Sequence, residues 1–417
     1  MAAARPRSPE RGLASVKLAR ARVAPHSVSA MHDDLPRPSP DLLARKKPAA
    51  LDFDDHPLIA IWETTQACDL VCAHCRACAT PRTHPDELTT EEGKRLLDGF
   101  AAMGTPLCVL TGGDPAKRED LVELVRYGTR AGLVMALTPS GTPLMTRALL
   151  ADLREAGLAR VAVSVDGPDA AMHDAFRGVA GSFDESLRIL RQARELGLET
   201  QVNFTLSRPS LAALDAMAQL TEDVGAAMLV VFVVIPTGRA AASLTLTADE
   251  VEHALEDLAR IGETRPFQIK TTGAPQLRRV LLSRKAREVP TGLLRDVHEG
   301  VVRGPRGVTD GVGFLFVSHT GDVYPSGFLP LRAGNVREEP VARIYRESPL
   351  FRALRNADGL GGKCGACPFR FVCGGSRARA WTASDDPTSE DPGCAYVPKG
   401  YVAAPVQHRR LRLPTLQ

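Results

Sequence analysis

Four cysteines crowd into sixteen residues, "TTQACDLVCAHCRACA" (Thr64–Ala79), in a chain with nine cysteines among 417 residues. Cys68, Cys72 and Cys75 read C-x3-C-x2-C, and Cys78 follows three residues later. Thiols this close pair as disulfides, close around zinc, or hold an iron–sulfur cluster. A disulfide framework is disfavoured, because the cysteines are few for the length and the first residues do not read as a secretory signal. Zinc asks for a fourth ligand, which His74 or Cys78 would supply. Three thiolates can instead carry a [4Fe–4S] cluster that leaves one iron open, where full ligation takes four. The open iron binds a small molecule and passes it an electron. A second group, Cys364, Cys367, Cys373 and Cys394, reads C-x2-C-x5-C-x20-C. Four thiolates are enough for a closed [4Fe–4S] or zinc site. Cys108 lies inside an apolar run and reads as a small buried hydrophobe.

The elements that must position these thiols are regular from Pro57 onward. Short apolar runs occur at 57–63, 106–112, 133–139, 160–166, 200–206 and 226–235. Amphipathic stretches of helical length alternate with them, at 89–104, 118–132, 145–157, 183–197, 210–225 and 247–262. Six strand–helix units predict a parallel sheet covered by helices, wound open or as part of a barrel, and short of the eight units of a complete one. In such sheets the chemistry sits at the carboxyl ends of the strands. The cysteine run follows the first strand. "TGGDP" with Gly112, Gly113 and Asp114 ends the second, "TPSGTP" with Ser140 the third, "SVDGPD" with Ser164 and Asp166 the fourth, and "PTGRA" with Arg239 the sixth. Each loop alone fits a simple turn or helix cap. Five loops sharing one rim with a cysteine cluster fit a binding site better.

Composition narrows the classes. The first 50 residues hold ten Lys/Arg and four Asp/Glu, whereas the remaining 367 hold 42 and 45. The basic balance therefore belongs to the N-terminal segment and does not argue for nucleic-acid binding by the folded part. That segment reads as a disordered basic extension over 1–50. An organelle transit peptide and a start at Met31 are the alternatives. No apolar run reaches the ~18–20 residues that span a bilayer. A cytoplasmic protein with no membrane partner is expected.

The C-x3-C-x2-C run after strand one, with GGDP and SVDG on the same rim, resembles the radical S-adenosylmethionine superfamily. The resemblance implies an α/β fold, a partial (β/α)6 TIM-type barrel over 51–265. It implies a three-cysteine [4Fe–4S] cluster that reductively cleaves S-adenosylmethionine to a 5′-deoxyadenosyl radical, which takes a hydrogen from the substrate. Cys68, Cys72 and Cys75 become the ligands. Gly112, Gly113 and Asp114 meet the methionyl amine, with Asp114 where Glu is more usual. Ser164 and Asp166 lie near the ribose or carboxylate, Arg177 is a candidate carboxylate partner, and Ser140 is a further cofactor-binding residue. His74 either lies against the adenine or is a loop residue facing solvent. Residues 266–400 resemble the SPASM/Twitch extension. Ser326 and Arg377 stand where its first auxiliary cluster would have ligands. One auxiliary [4Fe–4S] cluster on Cys364, Cys367, Cys373 and Cys394 is therefore implied, followed by a tail from 401.

Within the superfamily the chain looks most like the haem-pathway enzymes that trim tetrapyrrole side chains, with peptide maturases as the alternative. The implied electron donor is a flavodoxin or ferredoxin. A non-enzymatic iron–sulfur carrier and a zinc-stabilised binding protein are the readings from other classes. His319, Tyr324 and Arg239 are candidate acids or bases by position.

Overall fold

The computed structural model describes residues 52–288 and 306–402. The expected extension over 1–50, and all but the first two residues of the expected tail, lie outside them.

Six strands form where the apolar runs predict them: β1 Ile59–Glu63, β2 Leu107–Thr111, β3 Val134–Leu137, β4 Leu158–Ser164, β5 Glu199–Leu206 and β6 Met228–Val233. Neighbours in sequence pair in parallel, with Ile59 opposite Leu107 and Val202 opposite Leu229, for example. β6, "MLVVFV", is apolar on both faces, as a central parallel strand must be. The intervening helices are α1 Thr90–Ala102, α2 Leu121–Arg130, α3 Arg147–Glu155, α4 Ala170–Arg177, α5 Ser182–Glu195, α6 Leu214–Asp223 and α7 Ala248–Thr264. α1 and α7 open on capping boxes, Thr89 with Glu92 and Thr247 with Glu250. Leu96, Leu97 and Phe100 turn the apolar stripe of α1 onto the sheet. Trp62 of β1 packs so tightly on that helix that a Cβ at Gly93 would lie 2.4 Å from its ring.

The sheet is larger than six strands. β7 Gln268–Thr272 adds to β6, and β8 Phe314–Val317 pairs in parallel with β1. β9 Asp322–Tyr324 and β10 Gly334–Asn335 continue antiparallel beyond β8. The order is β10-β9-β8-β1-β2-β3-β4-β5-β6-β7. β7 escapes a hydrophobicity reading because "QIKTT" is a polar, half-exposed edge. β8 is four residues long and stands far from its partner in sequence. The sheet thus runs on across the expected division at 265/266. α4 also goes unread, hidden inside the loop after β4. A further helix, α8 Leu277–Glu288, follows β7. Among the described residues no helix is long and apolar enough to cross a membrane.

Candidate functional site

The cysteine loop leaves β1 at Glu63 and is pinched at its base. Ala67 and Thr80 form an isolated bridge, with Cys68 N donating to Thr80 O at 2.7 Å. Arg239, after β6, grips the loop from across the rim. Its Nε donates to Cys72 O and its Nη1 to Ala79 O, both at 3.0 Å, while its backbone N donates to Cys75 O at 3.0 Å. Arg239 therefore braces the loop from three points. Cys68 and Cys72 are buried and Cys75 is half-buried, packed with Leu70, Ala79 and Val179. Cys78 is exposed, in a left-handed conformation with φ 48°. Cys108 is fully buried in β2, the small hydrophobe that its apolar run predicts.

The glycines of "TGGDP" let strand two approach this loop. A Cβ at Gly113 would sit 2.3 Å from Ala67 O and one at Gly112 2.7 Å from Thr65 O. Gly113 N donates to Thr65 O and Asp114 N to Ala67 O, each at 2.7 Å. Ser140 joins the same contact, donating to Gly113 O at 2.8 Å and lying 3.3 Å from Cys68 Sγ. Asp114 is wholly buried, and its carboxylate accepts from Ala116 N, Ser140 N and Thr142 Oγ1. It holds two rim loops together. Gly113→Ala is expected to destabilise the protein by about 1–3 kcal/mol. The clash is with backbone that cannot swing aside, so iron content should fall with it. Urea unfolding and iron per chain measure both.

α4 supplies the other wall. Capped by Asp169 and ended by Gly178 at φ 75°, it passes so close that a Cβ at Gly178 would lie 2.6 Å from Val71. Phe176 O accepts from Ala73 N at 3.1 Å, and the Phe176 ring stacks on His74 with centroids 4.2 Å apart. Burial pushes the His74 imidazole down to about 4, so it is neutral and flat at pH 7. Arg177 bridges Asp166 Oδ2 at 2.6 Å and Cys72 Sγ at 3.7 Å. Burial pushes the Asp166 carboxyl up, but Arg177, His74 and the Thr205 amide outweigh it and hold it below the usual range. His173 Nδ1 accepts from Asp166 N at 3.0 Å. Ser164 ends β4 opposite Asn203. His74, Asp166 and Arg177 thus meet at the cysteine loop from one side, and Gly112, Gly113, Asp114 and Ser140 from the other.

Three buried nitrogens at this rim, His74 Nδ1, Arg177 Nε and Arg239 Nη2, have no protein partner. Buried polar atoms are almost always paired. Unmet donors beside three thiols fit a cofactor that brings its own carboxylate and hydroxyls. Burial pushes the Cys68 thiol up, so any metal centre taking it as a ligand would displace a proton.

The C-terminal cysteines also come together. Cys364, Cys367, Cys373 and Cys394 line one small cavity with Arg279, Lys363 and Gly375. Cys364 Sγ accepts from Asp391 N at 3.3 Å and Arg377 Nη2 at 3.5 Å, and Cys373 Sγ from Gly375 N at 3.4 Å. Arg377 is buried, its guanidinium also donating to Gly375 O, Pro387 O and Ser389 O. It has become part of the wall of this site. Ser326 is buried in a turn, accepting from Phe328 N. Burial pushes the Cys367 thiol up to about 11. Among the described residues no three His, Cys, Asp or Glu side chains converge closely enough to hold a single metal ion. A cubane, with its irons at separate corners, asks its thiolates to stand apart.

Two groups escape a sequence reading. Glu63, at the end of β1, is buried between Arg76 and His319, with 2.7 Å to each. Burial pushes its carboxyl up, and the two basic partners outweigh that and keep it ionised. Phe176 lies within the unread helix. Tyr324 on β9 is half-buried against Phe316 of β8.

The model of the Radical SAM superfamily matches residues 62–209, from the end of β1 past β5. The protein named AdoMet-dependent heme synthase of Oleidesulfovibrio alaskensis is 42% identical over 345 residues, 82% of this chain and 88% of that relative. The PqqA peptide cyclase of Rhodopseudomonas palustris is 30% identical over 358 residues, 82% of this chain and 88% of that one. The crystal structure of Streptococcus suis SuiB bound to S-adenosylmethionine superposes with a TM-score of 0.63 at 14% identity, covering 82% of this chain and 78% of that one, a likeness of fold. On this footing the chain belongs to the radical S-adenosylmethionine superfamily, whose enzymes use a [4Fe–4S] cluster and S-adenosylmethionine.

Proposed function

We propose that this enzyme decarboxylates the propionate side chains of an iron-tetrapyrrole in haem synthesis. The observation that carries the reading is the 42% identity, across 82% of the chain, with a protein named AdoMet-dependent heme synthase. Cys68, Cys72 and Cys75 would hold the catalytic cluster. His74, Gly112, Gly113, Ser140, Ser164, Asp166 and Arg177 would surround S-adenosylmethionine, and Asp114 would brace the loops that do so. When bound, the pair supplies a 5′-deoxyadenosyl radical that takes a hydrogen atom from the substrate. Arg177, held charged beside Asp166, would meet the cofactor's carboxylate with its unmet Nε. The loop brace from Arg239 would keep the three thiols at fixed spacing.

Turning a propionate into a vinyl group releases carbon dioxide, one hydrogen atom and one electron. Cys364, Cys367, Cys373 and Cys394 would hold a fully ligated cluster, suited to electron transfer and not to binding substrate. A flavodoxin or ferredoxin would deliver the priming electron. The test is anaerobic incubation with reductant, S-adenosylmethionine and iron-coproporphyrin, followed by mass spectrometry. Expected are 5′-deoxyadenosine and loss of the elements of formic acid from each reacted side chain. An unchanged porphyrin, with a precursor peptide oxidised or crosslinked instead, would replace this reading by peptide maturation.

A further inference from the structure

The cofactor rim leaves one strong cation unexplained. Arg76 directly follows Cys75, yet its side chain turns away from the thiols toward the C-terminal strands. Its Nη2 donates to Glu63 Oε2 at 2.7 Å, and its guanidinium lies 4.5 Å from the centre of the Phe316 ring. Among the described residues, Nε and Nη1 have no protein acceptor. An arginine offers five N–H donors in a planar fork and Glu63 takes one of the two on Nη2, so the second Nη2 N–H, beside that of Nη1 or of Nε, leaves an edge open for two parallel bonds. The side chain is 20% exposed, enough to be reached and little enough to be partly desolvated. Its orientation is fixed on three sides. Glu63 holds one nitrogen, and His319 holds the other oxygen of Glu63. Gly327 closes over the stem, where a Cβ would come within 3.0 Å of Arg76 Cδ and Nε.

The surroundings are aromatic. Phe316 lies under the guanidinium and its ring is 6.3 Å from that of Tyr324. Gly327 adjoins Phe328, whose ring is 6.2 Å from Phe232 of β6. Phe316 and Tyr324, on β8 and β9, and Phe328, next to Gly327, thus stand close to this one fork. A flat apolar body carrying a carboxylate matches that combination, with stacking for the body and a fork for the acid.

We propose that Arg76 binds a substrate carboxylate, with Glu63 and His319 as the positioning residues that aim its fork. The assignment rests on the tetrapyrrole reading and names which residue receives a propionate. It involves no bond-breaking step: the propionate that Arg76 holds is fixed relative to the cofactor loop from which the residue springs.

The test is equilibrium binding, read by the Soret band when the full chain, anaerobic and cluster-loaded, is titrated with iron-coproporphyrin. Arg76→Gln is expected to weaken binding by about tenfold or more, since it removes a partly desolvated charge partner. Arg76→Lys keeps the charge without the fork and should fall between. The Glu63→Gln/Arg76→Gln double variant leaves no buried carboxylate unpaired, so it guards against misfolding of the single variant and should bind as weakly. The tetramethyl ester of the porphyrin separates contact from general damage: wild type and Arg76→Gln should bind it equally. Wild-type affinity for the free acid in a folded Arg76→Gln protein would overturn the assignment. An equal loss for acid and ester would make the role structural and overturn it too. No Soret change with the wild type would sink the tetrapyrrole reading, and this assignment with it.

Discussion

Replacing Cys68, Cys72 and Cys75 together by Ala is expected to remove about four irons per chain and to abolish formation of 5′-deoxyadenosine. Soft thiolates are the ligands that iron–sulfur centres select, and three of them leave the open iron that the family's chemistry requires. The three sit in a loop closed by the Ala67–Thr80 bridge and gripped by Arg239, so their spacing is imposed from outside the loop. Cys78→Ala is the control. That residue is exposed, and the hydrogen bond between its N and Cys75 O places it in a turn beyond Cys75. Iron content and cleavage should be unchanged in it. Loss of iron from Cys78→Ala would show that the ligand set is wrong.

The second large effect concerns the C-terminal thiols. The Cys364→Ala/Cys367→Ala variant should lower iron from about eight to about four per chain. It should keep some cleavage of S-adenosylmethionine while substrate turnover is suppressed. The two sites should therefore separate: loss of the first is expected to stop both activities, and loss of the second only one. Mössbauer or EPR spectra with iron counts decide it. A wild-type value near four irons, with zinc in the C-terminal cavity, would leave a structural knuckle there. The N–H groups of Asp391, Gly375 and Arg377 that reach Cys364 and Cys373 suit sulfurs carrying negative charge. Such hydrogen bonds are among the determinants of a cluster's potential.

What could be read in the sequence was local. The C-x3-C-x2-C spacing lies within eight residues, and β1 to β6 announce themselves as apolar runs bounded by Gly and Pro. The longer helices between them carry a 3.6-residue period, and α1, α3 and α7 open on a Thr cap. β7 has no such period, because an edge strand with half-exposed polar side chains buries too little to leave one. α4 is eight residues long, with one buried side chain, His173, so its stripe is too narrow to stand out from a loop. Glu63, Arg76 and His319 form a set only after β8 joins β1. Nothing near residue 63 in the chain signals a partner 256 positions away. Arg377 was legible as a departure from a cysteine pattern, whereas its part in the wall of the remaining site required the folded chain.

The β1–β8 pairing sets a timetable for synthesis. Glu63 leaves the ribosome about 250 residues before Phe314, an interval on the order of ten seconds or more at ordinary elongation rates. Throughout it the cysteine loop is already made, while the β8–β9 wall and Gly327, which later covers Arg76, do not yet exist. The edge of β1 therefore stays open through that interval, and the last strands to emerge close it. A chain that ends before Phe314 would present that edge unpaired, as an adhesive surface for other unfinished chains.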